Sequence, residues 1–396
     1  MRHPFLRLVL AVAFSARAAG ADLIEARGTG LRVPRGLMAE RVADVSLTGE
    51  IHALTLDRFG RIVVTGPGTL RTLGDQNEDG RTDLVVPLAA VQSAGWGLAA
   101  AGPDVWWAGD NAIWRFRDAD GNGQADGPGE RVLPITTGPN AAHALALGPD
   151  GFLHLAAGFG AAFTNASHAG DPASPFAAFE AGAVLRLMGP GRAQAWAVGL
   201  RNPRGLAFSA AGPLLAWDAE DPRETFLPWS LPTRLVEVPA GLRQGWLRAD
   251  DAGSWALPER RMDGTEALAR VGGAAPGGLT VYRHEVLPAE WRGAVLAADA
   301  ANARVLAFRL PPGGDGAAQT EIFLQGAPGV FQPVAVAVAP DGGVLVAGGG
   351  TGPGAGLFRV APLRPADDTL QAQAQLAAAR PLEGVLRAPQ PLAAWS

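Results

Sequence analysis

The chain has 396 residues, with 53 Gly, 32 Pro, 48% hydrophobic and 18% charged residues, a composition too rich in breakers for a helical bundle and too apolar for disorder. Its 33 basic residues are all Arg and face 38 acids for a net charge of −5, which leaves no electrostatic footprint for general nucleic-acid binding. The absence of Cys excludes disulfides, thiol catalysis, Cys-based zinc sites and covalently attached c-type haem.

Residues 1–21 read as a secretory signal peptide: Arg2 and Arg7 precede the apolar stretch Leu8 to Phe14, and Ala19-Gly20-Ala21 supplies a small-residue cleavage pattern before Asp22. That stretch is too short to cross a bilayer, so a periplasmic or secreted protein without a membrane span is expected. From His52 onward one unit recurs: an apolar strand, a turn containing Gly, and a second apolar strand. It reads HALTLDRFGRIVVTG, GLAAAGPDVWWAG, HALALGPDGFLHLAAG, GLAFSAAGPLLAWD, GLTVYRHEVLPAEWRGAVLAAD and VAVAVAPDGGVLVAGG. The turn glycines are Gly60, Gly102, Gly151, Gly212, Gly293 and Gly342, separated by 42, 49, 61, 81 and 49 residues. Several copies add a third strand with an Arg near its end, as in AIWRFRD, AVLRLMG, RVLAFRL and GLFRVAP. Antiparallel hairpins repeating every ~40–50 residues predict an all-β, six-bladed β-propeller. It is expected over residues 22–363, with the widest gap filled by an inter-blade insertion and residues 364–396 as a C-terminal tail.

Two loops follow the pattern D-x-[DN]-x-[DN]-G-x-x-D. The first presents Asp75, Asn77, Asp79 and Asp83, the second Asp118, Asp120, Asn122 and Asp126. Oxygen donors at alternate positions with a Gly for the sharp turn suit a calcium loop, and the missing Glu at the twelfth position argues against an EF-hand. The same residues also make plain Asx-rich turns without an ion.

Ligand sites of propellers lie at the central channel. His143 stands at the start of one inner strand, Arg201 and Asn202 just before another, and Asp218, Glu220, Asp221 and Glu224 cluster after the same hairpin. A histidine beside a guanidinium, in a chain with 11 Trp, suits proton abstraction from an alcohol with charge stabilisation nearby. A single channel histidine is more often a hydrogen-bonded structural residue.

The segments HALALGPDGFLHLAAG, AVGLRNPRGLAFSAAGPLLAWDAEDPRETFLPW and APGGLTVYRHEVLPAEWRGAVLAAD resemble the quinoprotein glucose/sorbosone dehydrogenases. The acidic loops and PWSLPTRLVEVPAGLRQGW resemble their sorbosone-dehydrogenase-like, membrane-bound dehydrogenase-domain branch, and the likeness runs from about Val45 to Val360. It implies a six-bladed propeller holding pyrroloquinoline quinone (PQQ) and Ca²⁺ in the channel, and oxidation of a sugar by hydride transfer to the quinone. His143 matches the base, Arg201 and Asn202 the contacts of the quinone's reactive carbonyls, and Asp218, Glu220 and Asp221 fall at the calcium loop. The late segments that match the family's carboxylate anchors, ADAANARVLAF and GVFQPVAVAVAPDG, contain no Lys and leave Arg304 as the nearby cation. Without a bound haem, electrons would pass to a separate acceptor. Two other readings stay open at this point: a non-catalytic propeller binding a glycan or a protein partner, and a calcium-dependent lactonase-type hydrolase.

Overall fold

A computed structural model of the chain describes residues 22–77, 79–162, 176, 182–224, 227–246, 264–311 and 316–363. The expected signal peptide (1–21) and tail (364–396) lie outside the described residues. Six antiparallel sheets stand in a ring, which makes the fold a six-bladed β-propeller. The innermost strands of blades 1 to 6 are Ala53–Leu56, Gly97–Ala101, Ala142–Leu147, Pro203–Phe208, Pro276–Val281 and Pro333–Val338. Each packs beside the inner strand of the next blade, and the sixth closes on the first.

All six repeated glycines sit in the turn between the first and second strands, with positive φ from 54° at Gly102 to 112° at Gly212, a backbone region in which a Cβ is strained. Because strands alternate in direction, these turns lie at one end of the channel and the starts of the inner strands lie at the other.

The ring explains the strong apolarity of the repeats. A blade is covered on both faces by its neighbours, so a strand in its middle has no solvent side. The second strands Leu153–Ala157, Leu214–Asp218, Val295–Asp299 and Val344–Gly348 are buried along their whole length. Aromatic side chains fill the wider outer gaps between blades. Trp217 tilts against Phe308 at 5.5 Å and donates its indole N–H to Ala298 O at 3.1 Å, and Trp107 donates to Thr65 Oγ1 at 2.8 Å. Truncating such a residue costs ~3–5 kcal/mol.

Closure uses the chain's beginning. Leu37–Ala43 pairs with Gly356–Pro362 as the outermost strand of blade 6, while Leu23–Ala26 and Leu31–Pro34 extend blade 5 through Arg32 opposite Gln325. The third-strand arginines serve as outer clasps: Arg115 pairs with Glu130, Arg309 with Glu321, and Arg359 with Glu40 and Asp341. The long insertion is placed differently from the sequence expectation. It lies within blade 4, between its third strand Arg234–Glu237 and fourth strand Ala269–Arg270, and not between blades. Hairpin spacing locates turns but carries no information on which later connection has grown.

Candidate active site at the channel mouth

At the end where inner strands begin, four consecutive blades present aromatic or polar groups. His52 precedes the inner strand of blade 1, Trp96 that of blade 2, His143 is the second residue of blade 3's, and Asn202 and Arg204 flank the start of blade 4's. Blades 5 and 6 offer only Gly277, Gly278, Val334 and Ala335 at the same level. The cavity that His52, Trp96, His143 and Arg204 line holds about 80 Å³, and the channel beyond it, between Thr55, Ala99, Ala146, Ala207, Thr280 and Ala337, about 290 Å³.

His143 is 2% exposed. Its Nε2 lies 2.8 Å from Asn202 Oδ1, and the Asn202 amide nitrogen donates to Pro139 O at 3.0 Å and to Asn140 Oδ1 at 3.1 Å. This network orients the Asn202 carbonyl to the ring, so His143 Nε2–H donates and the lone pair sits on Nδ1. Nδ1 is buried and has no partner. Burial, assisted by the Arg204 charge and opposed by hydrogen bonding to Asn202 and to the Pro203 backbone, pushes the His143 pKa down to about 3. The backbone crowds it forward as well: a Cβ on Gly97 would collide with the His143 carbonyl oxygen.

Asp218 is the keystone beside it. Its carboxylate accepts the backbone N–H of Arg201 and Asn202, at 3.0 and 2.8 Å, and binds the buried Arg234 guanidinium at 3.2 Å. The backbone approach to blade 4 is thereby fixed. The Arg201 guanidinium lies over Phe159 at 5.0 Å, and Phe159 tilts against Trp246 at 6.0 Å. Arg201 Nε and Trp246 Nε1 are buried without a partner. Burial lowers the Arg201 pKa against the pull of Asp221 and Asp218, and burial lowers that of Arg204, whose Nη1 donates to Pro139 O at 2.9 Å.

The structure brings His143, Asn202 and Arg201 to one place but spreads the acids assigned to the calcium loop. Asp218 serves Arg234 and two backbone amides, Glu220 accepts Gly273 N–H at 3.1 Å, and Asp221 pairs with Arg223 at 2.8 Å. Three carboxylates with three separate partners do not form a coordination shell. Asn202 likewise has each polar atom of its amide engaged, which makes it a support for His143 rather than a ligand contact. Arg304 is tied to the buried Asp299 at 2.8 Å.

The two acidic loops join third and fourth strands and so lie at the opposite end of the channel. Asp75 accepts the N–H of Asp79 and Gly80, at 3.2 and 2.7 Å, and Asp83 that of Gln76 at 2.8 Å, while Asn77 closes an Asx turn on Asp79. Among the described residues, the acidic group with ligand atoms within 4.8 Å of one another is Asp118, Asp120 and Asp126. Asn122 turns its amide back onto Asp120 at 2.9 Å. The Arg61 guanidinium already sits on Asp118 at 3.0 Å and on the Gly121 carbonyl at 2.9 Å.

Sequence reading singled out neither His52 nor Trp96 nor Arg204. The signal was present as a repeat: His52-Ala53-Leu54 and His143-Ala144-Leu145 occupy the same position in their blades.

Arg201 Nε and Trp246 Nε1 are buried N–H donors without a partner and His143 Nδ1 is a buried acceptor, chemistry that suits a quinone carbonyl and the hydroxyl it would oxidise. For its carboxylates the cavity at the mouth supplies Arg204, facing a wall of small apolar residues, and the segment before the inner strand of blade 4 supplies Arg201.

Residues 57–348 match the model of a family described as Domain of unknown function (DUF7133). No curated protein matches the chain. Among solved structures, an oxidoreductase described as a glucose dehydrogenase from Thermus thermophilus aligns at TM-score 0.58 and 21% identity, over 82% of this chain and 100% of that one. The PQQ-bound aldose sugar dehydrogenase of Streptomyces coelicolor aligns at 0.55 and 19%, over 83% and 99%. The calcium structure of a Trichoderma reesei enzyme of carbohydrate-active family AA12 aligns at 0.64 and 12%, over 86% and 99%. At these identities the likeness is one of fold. Among the described residues, no helix is long and apolar enough to cross a membrane.

Proposed function

The chain belongs to this family of unknown function, and from that premise we propose that it is an exported oxidoreductase that oxidises a sugar hydroxyl at the propeller mouth, with PQQ as hydride acceptor. The observation that carries the reading is the unpartnered Nδ1 of His143, whose ring Asn202 holds beside the Arg204 charge.

When bound, the quinone supplies a two-electron acceptor for the substrate's hydride. The chain's residues do the rest. Asn202 fixes the tautomer of His143, as an orienting partner does for any catalytic histidine. His143, neutral at any working pH because burial holds its pKa near 3, accepts the hydroxyl proton at Nδ1. Arg204 disfavours a lasting imidazolium, so the proton moves on to solvent. Arg201, seated on Phe159, places positive charge where negative charge develops.

Arg304, held by Asp299, leaves the carboxylates of PQQ to Arg201 and Arg204. Binding is therefore expected to be weaker and more salt-sensitive than three anchored carboxylates would give. Calcium enters this reading as a structural ion of Asp118, Asp120 and Asp126, remote from the chemistry, and a separate acceptor takes the electrons.

A second reading, a propeller that binds a glycan without oxidising it, is favoured by the apolar wall of blades 5 and 6 and the pairing of Arg304. A lactonase-type centre finds no support in acids that point to separate partners. Reconstitution separates these: with PQQ, Ca²⁺ and a panel of aldoses and sorbosone, the oxidoreductase reduces a dye. Absence of both dye reduction and a thermal shift with PQQ would sink the enzymatic reading.

A further inference from the structure

We propose that the far half of the channel is a second binding site, which takes a small hydroxy acid with its carboxylate on Arg283.

The chamber there holds about 290 Å³, at the low end of ligand pockets and suited to a small metabolite. It meets the cavity at the mouth where each inner strand gives one residue to both: Leu54, Leu98, Leu145, Leu206, Leu279 and Val336. Each inner strand stands at the end of its sheet and pairs on one side only. Its other edge faces the channel, so the chamber wall carries backbone N–H and C=O groups that no strand satisfies. An apolar guest would desolvate them without replacing their hydrogen bonds. A guest with hydroxyls pairs with them.

Among the described residues, Arg283 is the charged one that lines the chamber. It follows the inner strand of blade 5, and its Nη2 donates to Phe208 O at 2.7 Å and to Ser209 O at 3.1 Å. Those bonds pin the guanidinium to the end of blade 4's inner strand and leave its other N–H groups without a partner among the described residues. Hairpin aspartates at this end are answered within their own blades: Asp57 by Arg61, Asp104 by Arg117, Asp150 by Arg186 and Asp341 by Arg359. Arg283 has no such counterpart. Burial alone shifts its pKa, downward, so neither the neighbouring Glu285 nor another described carboxylate pairs with it. The acidic loops at this end follow the third strands of blades 1 and 2, across the ring from blades 4 and 5. A buried guanidinium with free N–H groups makes its strongest hydrogen bonds to a carboxylate.

The test uses the full chain without quinone, titrated by calorimetry with D-gluconate, with its neutral analogue D-gluconamide, and with hexanoate, which keeps the charge and lacks the hydroxyls. Gluconate is expected to bind, and each of the other two to bind at least about tenfold more weakly. Arg283→Gln weakens gluconate binding at least about tenfold, whereas Arg204→Gln, which removes the cation of the mouth, leaves it within about twofold. Unfolding midpoints check that each variant folds, and either variant places the site if the other does not fold. No gluconate binding by the wild type, equal binding of gluconamide or hexanoate, undiminished binding in folded Arg283→Gln, or its loss in folded Arg204→Gln overturns the proposal. Dye reduction requires the quinone and this binding does not, so either can fail alone.

Discussion

The two ends of the channel contrast in how their polar groups are satisfied. At the far end the acidic loops look like sites, yet Asp118 accepts from Gly121 N–H, Gly123 N–H and the Arg61 guanidinium. At the mouth, His143 Nδ1 and Arg201 Nε are buried without a hydrogen-bond partner. An unpaired buried polar atom costs ~1–3 kcal/mol, and where one stands beside a cavity, as His143 does, a ligand can complete it. A cluster of acids is weaker testimony, because short polar side chains satisfy one another and the backbone of their own turn.

The largest expected effect lies at the keystone of the mouth. Asp218→Ala strands the buried Arg234 guanidinium and frees the Arg201–Asn202 backbone, and it should destabilise the protein by ~3–5 kcal/mol. Urea unfolding checks this, and a loss under ~1 kcal/mol would mean that the pair is no keystone.

His143→Ala comes next. Removing the proton acceptor should lower the dye-reduction rate ~10²–10⁴-fold, with calcium binding at the far end unchanged.

A pH experiment sharpens the contrast further. Burial holds the His143 pKa at about 3 in the fold, against the ordinary value of about 6.5 in the unfolded chain. The unfolded state therefore binds more protons between these values, so stability falls as pH drops from about 6.5 toward 3. His154, buried between Trp196 and Phe208 and pushed down to about 4, acts in the same direction. His143→Gln should flatten part of that fall, and an identical pH dependence in wild type and variant would contradict the burial account.

The smallest effect belongs to the acidic loop. Calcium at ten times its Kd should stabilise by ~1.4 kcal/mol, about 2–4 °C in a domain of this size, and Asp120→Asn should abolish the shift while leaving the mouth's chemistry intact.

The propeller was legible in the sequence because its cause is local: alternating apolar strands around a positive-φ glycine repeat six times. His143, Arg201 and Asn202 were readable as candidates because they stand near the starts of inner strands, eight residues before Gly151 and eleven and ten before Gly212. The insertion was misplaced because strand pairing beyond a hairpin is not written in turn spacing. The roles of Asp218, Glu220 and Asp221 were hidden for a related reason. A run of acids reads alike whether its members converge on an ion or turn to Arg234, Gly273 and Arg223. His52 and Trp96 meet only when two blades are set side by side, and Arg304 lost its expected role to Asp299, a partner on the neighbouring strand.

The most direct test is reduction of a dye by the full chain loaded with PQQ and Ca²⁺ in the presence of aldoses, run in parallel with folded His143→Ala. Sugar-dependent reduction by the wild type that falls at least ~10²-fold in the variant is the predicted result. Equal rates in the two proteins, or no reduction and no PQQ-induced thermal shift in the wild type, would contradict the account.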